Sequence, residues 1–440
     1  MIRLSNFSNK YKDKTKDELI KELYDSYVEK EKLERELKKY KNSNTPSSAN
    51  KHIKENTEGI KAKKSAKRGA PKNHKGATLI LPEAEISETV IADNCVKCGG
   101  ENIKPTGYVK TKKVICYQKP KTYIKEYRQV EYICLDDNTI FFAPHKDIPD
   151  KGIYDKNIQS LVNYYKFKGR MPYEIVVDVM NNVHNVPMTR ATGLAITRRA
   201  SDKLEPLYQE LEQEIKKEDI VHGDETSHSV MGVNHWIWVF CNELISLFKF
   251  KKERGGDIVE ETLGKDFQGK LVSDGWQTYT SYTRDNNIIH QRCLDHLRRE
   301  IKYECKKKHP YLYKWGCDIY FMVKKGKNYK QEKRRLDMYK KCKAELLLLT
   351  NHMNAHINLK KLATKIQNGA DKWFACILHP ELPMDNNEAE RSLRPFVIIR
   401  KIIGCLRSET GKKNYEVMMS LISTWQKRGK NTLYMLENNL

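Results

Sequence analysis

Three acidic residues stand where carboxylates could act together. Asp224 lies in the short apolar run Ile220-Val-His-Gly-Asp224-Glu-Thr226, and Asp274 ends a second run, Lys270-Leu-Val-Ser-Asp274-Gly-Trp276. Both runs read as strands, where a lone acid is ordinarily a cap or a turn residue. Two acids on neighbouring strands of one sheet, however, project their side chains to the same rim, which is what a divalent cation requires. A third acidic segment follows far downstream: Leu382-Pro-Met-Asp385-Asn-Asn-Glu388-Ala-Glu390-Arg391-Ser-Leu-Arg394-Pro395. Asp385 or Asn386 can cap a helix there, with Glu388, Arg391 and Arg394 spaced to share a face. Hard oxygen ligands suit magnesium or manganese, and two such ions can serve both the attacking and the leaving oxygen of a phosphodiester.

Other groupings point elsewhere. Gly264-Lys-Asp-Phe-Gln-Gly269-Lys270 matches a phosphate-binding loop through its lysine, but Leu271 replaces the hydroxyl that would hold magnesium. A strand-like run follows it instead of a helix, so ATP binding is excluded. His222 and His228 flank Asp224 on one strand face, a spacing also open to zinc hydrolysis. Cys293 and His296 have ligand spacing, or else they end a buried strand and pack beneath the site. Trp236 and Trp238 read as sheet packing more than as a platform for bases. Cys95-Val-Lys-Cys98-Gly99-Gly100 is a zinc knuckle, and Cys134-Leu-Asp-Asp137 offers a single thiol where a second pair is expected. Cys95, Cys98, Cys134 and Asp137 are thus candidate zinc ligands, with Cys116 or His145 as other fourth partners. The alternative is a ribbon-like hairpin without metal.

The elements that must position these residues divide the 440-residue chain into several modules. Residues 1–42 read as a helix or short coiled coil on a seam of Leu19, Leu23, Leu33, Leu37 and Tyr40, and 43–77 as a basic flexible linker. Residues 78–147 read as a zinc-ribbon-like β domain. Residues 148–218 are helical, with Tyr173–Val183, a turn and Pro187–Arg199 compatible with helix-turn-helix. Strands in quick succession from 219 to 300, then strands alternating with helices, suit a mixed sheet covered by helices. Residues 301–380 are Lys- and Leu-rich and helical.

The formal net charge is +24, of which residues 1–76 carry +10, leaving +14 spread thinly over the rest. Such a balance points to a polyanion, usually nucleic acid. Apolar runs are too short to span a membrane, and no apolar leader is visible, so a cytoplasmic location is expected. Eleven scattered cysteines fit reduced thiols with at most one metal site.

In order along the chain, several motifs resemble the insertion sequence 66 family of DDE transposases. They are Lys67-Arg-Gly-Ala-Pro-Lys-Asn-His-Lys-Gly76, the Cys95–Cys134 region, His222-Gly-Asp-Glu-Thr226, Val272-Ser-Asp-Gly-Trp276, Cys293-Leu-Asp-His296-Leu-Arg-Arg299, Asp385-Asn-Asn-Glu-Ala-Glu-Arg391, Arg400-Lys401 and Ser408-Glu-Thr-Gly411. Each motif is weak alone, and the ordered set is specific. The resemblance implies a multidomain α/β chain in which an RNase H-like mixed sheet core is interrupted by a helical insertion and preceded by helical and zinc-ribbon-like DNA-binding modules. The core would comprise 219–300 and 381–440, the insertion 301–380. Asp224, Asp274 and Glu390 become the catalytic and metal-binding triad, with Cys293 and His296 supporting them, and Glu388 falls at a variable position of the pattern. Lys63, Lys64, Lys67, Arg68, Arg391, Arg394, Arg400 and Lys401 become DNA-contacting residues. The implied cofactors are two Mg2+ or Mn2+ ions and one structural Zn2+, the latter in question where Asp137 replaces a cysteine. The implied partners are the element's terminal inverted repeats, target DNA, further copies of the chain and accessory proteins of the same element, in a bacterial, nucleoid-associated setting. The implied function is metal-dependent DNA cleavage and strand transfer. A binding protein derived from such an enzyme, occupying element ends without cutting, is the alternative.

Overall fold

The computed structural model describes Glu29 and residues 83–94, 96–115, 120, 122–255 and 257–440. The expected coiled coil apart from Glu29, the linker with Lys63, Lys64, Lys67 and Arg68, and the candidate ligands Cys95 and Cys116 lie outside these residues. The chain divides into two compact units after residue 121. In the first, the described residues form turns and extended chain, with no strand. Between 78 and 147 the described strands are β1 (Glu131–Ile133) and β2 (Ile140–Phe142), an antiparallel pair in the second unit with Tyr132 opposite Phe141. Both strands are exposed along their length.

The second unit opens with α1 (Lys156–Asn163), which runs into a π-helical turn, then α2 (Tyr173–Asn182) and α3 (Arg190–Ile215). Thr189 caps α3 by accepting from the Thr192 N–H at 3.2 Å. The helix-turn-helix reading placed the second helix at Pro187–Arg199, whereas α3 starts later and runs 26 residues. Its apolar seam explains the length: Ile196, Ala200, Leu204, Leu211 and Ile215 are all buried, and the later residues pack into the main core.

Next comes a mixed sheet. Its strands are β3 (Ile220–Val230), β4 (Val233–Cys241), β5 (Ser246–Lys251), β6 (Lys270–Ser273) and β7 (His290–Arg292), in spatial order β5-β4-β3-β6-β7. The first three are antiparallel neighbours; β3, β6 and β7 run parallel. Met231 and Gly232, both at positive φ, form the two-residue turn that joins β3 to β4. Helices α4 (Asp257–Leu263) and α5 (Gln277–Asp285) make the crossovers. Lys270 opens β6, so no helix follows the Gly264–Lys270 sequence.

After β7 the chain is helical through α6 (Leu294–Cys305), α7 (Pro310–Lys327), α8 (Glu332–Asn354), α9 (Lys360–Gln367) and α10 (Ala375–Leu378). These helices share their own core, which reaches the sheet through Val272. Helix α11 (Asn387–Ile403) then returns to the sheet, β8 (Cys405–Leu406) pairs with the end of β3, and α12 (Glu409–Lys427) and α13 (Thr432–Asn439) close the main core. Phe248, Phe396 and Tyr415 meet there as tilted and edge-on ring pairs, fixing α11 and α12 on the sheet. No helix among the described residues is long and apolar enough to cross a membrane.

Candidate active site

Parallel pairing sets Asp224 beside Asp274. The last paired residues of β3 and β6 are His222 and Val272, and each aspartate lies two residues further on, so both carboxylates leave the same face at the same level. Asp224 Oδ1 accepts the Glu225 N–H at 2.9 Å, and Asp274 Oδ1 accepts the Trp276 N–H at 2.9 Å. Glu390 lies in the opening turns of α11, which packs on β3 and β4. Burial, followed by the charges of Asp274, Glu225 and Glu390, pushes the Asp224 carboxyl up to about 8. The three carboxylates therefore share one electrostatic field.

Cys293 joins the segments that carry the second and third acids. Its N–H donates to Ser273 O at 2.8 Å, and its buried sulfur accepts the Asn386 N–H at 3.3 Å. Asn386 is fully buried; its Nδ2 donates to Gly223 O at 2.8 Å, which leaves Oδ1 to accept from His222 Nδ1 at 2.9 Å. The backbone preceding Asp224 and the entry to the Glu390 helix are thus pinned by one side chain. Burial lowers the His222 pKa against the opposing pull of Asn386.

On the far side, Glu390 Oε1 accepts from Arg299 Nη2 at 2.8 Å and lies 3.6 Å from His296 Nε2. Burial first, then Arg299, lowers the His296 pKa, while Asp274 and Glu390 oppose them. Glu388 faces away to Lys427 at 2.9 Å and Arg391 at 2.5 Å. These partners hold it below the usual carboxylate range despite its burial. Of the expected DNA contacts, Arg394 and Lys401 are exposed, four and eleven residues beyond Glu390 and so on its stripe of the helix. Arg391 is paired with Glu388, and Arg400 folds back onto Ser227, whose Oγ lies 3.0 Å from Nη1.

Sequence reasoning passed over two supports. Arg292 is buried, stacks over Trp373 at 4.5 Å and donates to Gly275 O at 2.7 Å, holding the turn after Asp274. The Glu225 side chain is buried beside Asp224 and accepts from Arg254 Nη2 at 2.6 Å and Tyr279 OH at 3.0 Å. The Arg254 guanidinium lies between Trp236 and Trp276, 4.5 and 3.6 Å from their rings. The signal for Arg292 was its place beside the motif cysteine Cys293, whereas Arg254 is far in sequence from both tryptophans and carried none. Trp238 is fully buried against Tyr279, as sheet packing requires, and His228 is buried against Phe250.

All-oxygen donors whose burial and mutual charge raise the Asp224 pKa fit a divalent cation, which would relieve that repulsion. As they stand, no three His, Cys, Asp or Glu side chains among the described residues are gathered as a metal cage. At this site Glu390 is engaged by Arg299. Of the zinc candidates, Cys98 is exposed and Cys134 half-buried, while Asp137 Oδ1 accepts the Thr139 N–H at 2.9 Å. That bond and the Cys134 side chain hold Asp137 below its ordinary range.

A model of the Transposase IS66 family matches residues 151–414, from α1 through the Glu390 helix into α12. The chain belongs to this family. The matched stretch contains every strand of the sheet, the helical segment and all three acids. Among curated proteins, uncharacterized protein y4jO of Sinorhizobium fredii (strain NBRC 101917 / NGR234) is 30% identical over 83 residues, 19% of this chain. That match spans 26% of the relative's length. Membership in the transposase family makes the Asp224, Asp274 and Glu390 cluster the place to look for its chemistry.

Proposed function

We propose that the protein is a DDE-type transposase that binds the ends of its insertion element and catalyses cleavage and strand transfer of DNA. One observation carries this reading: Asp224 and Asp274 leave neighbouring parallel strands in register, and Glu390 shares their field. The strand order, three antiparallel strands continued by two parallel ones, supports an RNase H-like core of 219–300 and 381–440 around the insertion 301–380. The modules at 1–42, 43–77, 78–147 and 148–218 would bind and pair DNA ends. Retention of all three acids favours the enzyme over a binding protein that only occupies ends.

In the reaction, a water oxygen displaces the 3′ oxygen at the element end, and the freed 3′-hydroxyl then displaces a 3′ oxygen of the target. One phosphodiester bond is broken and one made in the second step, and no enzyme bond forms. Asp224, Asp274 and Glu390 would hold Mg2+ or Mn2+, which would supply stabilisation of negative charge on the reacting oxygens. Arg292 and Asn386 fix the backbones that carry the acids. Arg299 balances the Glu390 charge, and burial together with the Arg299 charge disfavours protonation of the His296 ring. Arg394 and Lys401 hold phosphates along the Glu390 stripe. A structural zinc ion, assembly of several copies on DNA, accessory proteins and a cytoplasmic location belong to the same reading.

The test is cleavage and joining of duplexes bearing the element's terminal repeats by purified protein in Mg2+ or Mn2+. Asp224→Asn, Asp274→Asn and Glu390→Gln should each abolish it and spare DNA binding, while Glu388→Gln should retain it. Cleavage by the Glu390→Gln protein would refute the triad.

A further inference from the structure

The +14 outside residues 1–76 is not spread thinly. Residues 301–380 contain 19 Lys+Arg and 6 Asp+Glu, a net +13, so the remaining residues from 77 onward are nearly neutral. Within this helical segment the density peaks where α7 turns into α8. Residues 324–335 hold seven basic residues and one acid, Glu332. Lys324, Lys325, Lys330, Lys333 and Arg334 are exposed there, and no hydrogen bond or ion pair engages their side chains among the described residues. Five unpaired cations on one turn repel one another, an arrangement that a polyanion stabilises.

The turn is built to hold its shape. Gly326 is buried where α7 meets α8, and a Cβ there would collide with Met338. Arg335 Nη1 donates to Tyr329 O and Lys330 O at 3.1 Å, closing the loop from inside. Its place is equally defined. Lys327 Nζ donates to Leu382 O, and two residues on, Met384 O accepts the Leu294 N–H at 2.9 Å, just before Asn386 and the Glu390 helix. The cationic turn therefore abuts the strap that delivers the third carboxylate.

We infer that the α7–α8 turn is a sequence-independent clamp for the phosphates of duplex DNA entering or leaving the carboxylate site. This rests on the proposed function for the DNA itself and adds which part of the chain grips it. Phosphate contacts release counterions, and each one steepens the fall of log K with log salt by about 0.9. The five cations would thus account for a slope of up to about 4.5.

The experiment is fluorescence anisotropy of a labelled mixed-sequence duplex titrated with full-length protein at several salt concentrations. The variant Lys324→Gln/Lys325→Gln/Lys330→Gln/Lys333→Gln/Arg334→Gln is expected to flatten the slope by at least about 2, the equivalent of two lost phosphate contacts. The matching variant with the four lysines changed to arginine should keep it. A readout on the unaltered protein runs in parallel: acetylation of Lys324, Lys325, Lys330 and Lys333, mapped by mass spectrometry, should fall several-fold when the duplex is bound. An unchanged slope together with unchanged acetylation overturns the inference, and would be expected if the turn instead docks an acidic protein. Should the parent protein still cleave and Asp224→Asn abolish this, the proposed function survives that outcome. A parent protein that binds no duplex at any salt concentration refutes both.

Discussion

Arg299 Nη2 lies 2.8 Å from Glu390 Oε1, so a cation of the chain itself covers part of the third carboxylate. Any divalent ion that uses Glu390 must compete with this guanidinium. The pair is partly exposed, and such pairs contribute up to about 1 kcal/mol. Arg299→Gln is therefore expected to lower the Mg2+ concentration for half-maximal thermal stabilisation by up to roughly fivefold. Differential scanning fluorimetry across a Mg2+ series measures this, and a raised requirement would show that Arg299 helps cation binding instead.

The Asp224 carboxyl, lifted to about 8, gives a pH test with a definite sign. Folded protein keeps a proton there that the unfolded chain releases near pH 4, so the folded state binds more protons between these values. Stability contributed by this group therefore falls as pH rises from about 4 to about 8. Asp224→Asn removes the dependence. Its Tm should match the parent's at about pH 4 and below, and exceed it by several degrees at pH 8, a difference of a few kcal/mol. Mg2+ added at pH 8 should raise the parent's Tm more than the variant's; parallel Tm profiles for the two proteins would contradict the raised pKa.

Gly275 stands at φ +88° with the Arg292 guanidinium where a Cβ would be, and Gly369 leaves room on another side of the same group. Gly275→Ala combines backbone strain with a clash against a buried cation, and should cost about 2–4 kcal/mol. Gly369→Ala tests the second contact independently and should also destabilise. Urea unfolding monitored by tryptophan fluorescence reads both, and a Gly275→Ala midpoint within error of the parent would show that the turn can move aside.

Asn386→Ala leaves His222 Nδ1 and Gly223 O without partners in a buried place. Each orphaned group costs about 1–3 kcal/mol, so a loss of about 2–5 kcal/mol is expected in chemical denaturation. Asn386→Gln retains the amide but displaces it by one methylene, and should recover less than half of that loss. Full stability in Asn386→Ala would mean that water or a rearranged neighbour satisfies both groups.

Much of this site was legible locally. Asp224 and Asp274 sit in short apolar runs, and both prove to lie at neighbouring parallel strands. The spacing of Glu388 and Arg391 predicted their shared helix face, and they pair at 2.5 Å. Choosing Glu390 over Glu388 needed the family pattern, because both fall in the same helical turn and helix periodicity alone favours neither. Asn386 was expected only as a helix cap, yet its side chain makes no cap bond and ties His222 and Gly223 instead; that role and Arg292 were hidden for a different reason. Asn386 bonds His222 across 164 residues, and Arg292 reaches Gly275 across 17 with Trp373 beneath it. Such contacts exist only after tertiary packing, so no local pattern announces them. Helix α3 outruns its expected end at Arg199 because Leu204, Leu211 and Ile215 are buried in the main core beyond it.

The far end of β3 is completed by β8, where Ser229 pairs with Cys405 and Val230 with Leu406. During synthesis, both aspartates and their sheet emerge well before this closing strand and before the glutamate. The pairing spans 176 residues, a closure that is slow and exposes strand edges until it occurs. Under the proposed function, competence to cut would therefore wait for the segment that carries Glu390 and β8, while the cationic turn at 324–335 is already made. A nascent chain would be able to grip DNA before it could break it.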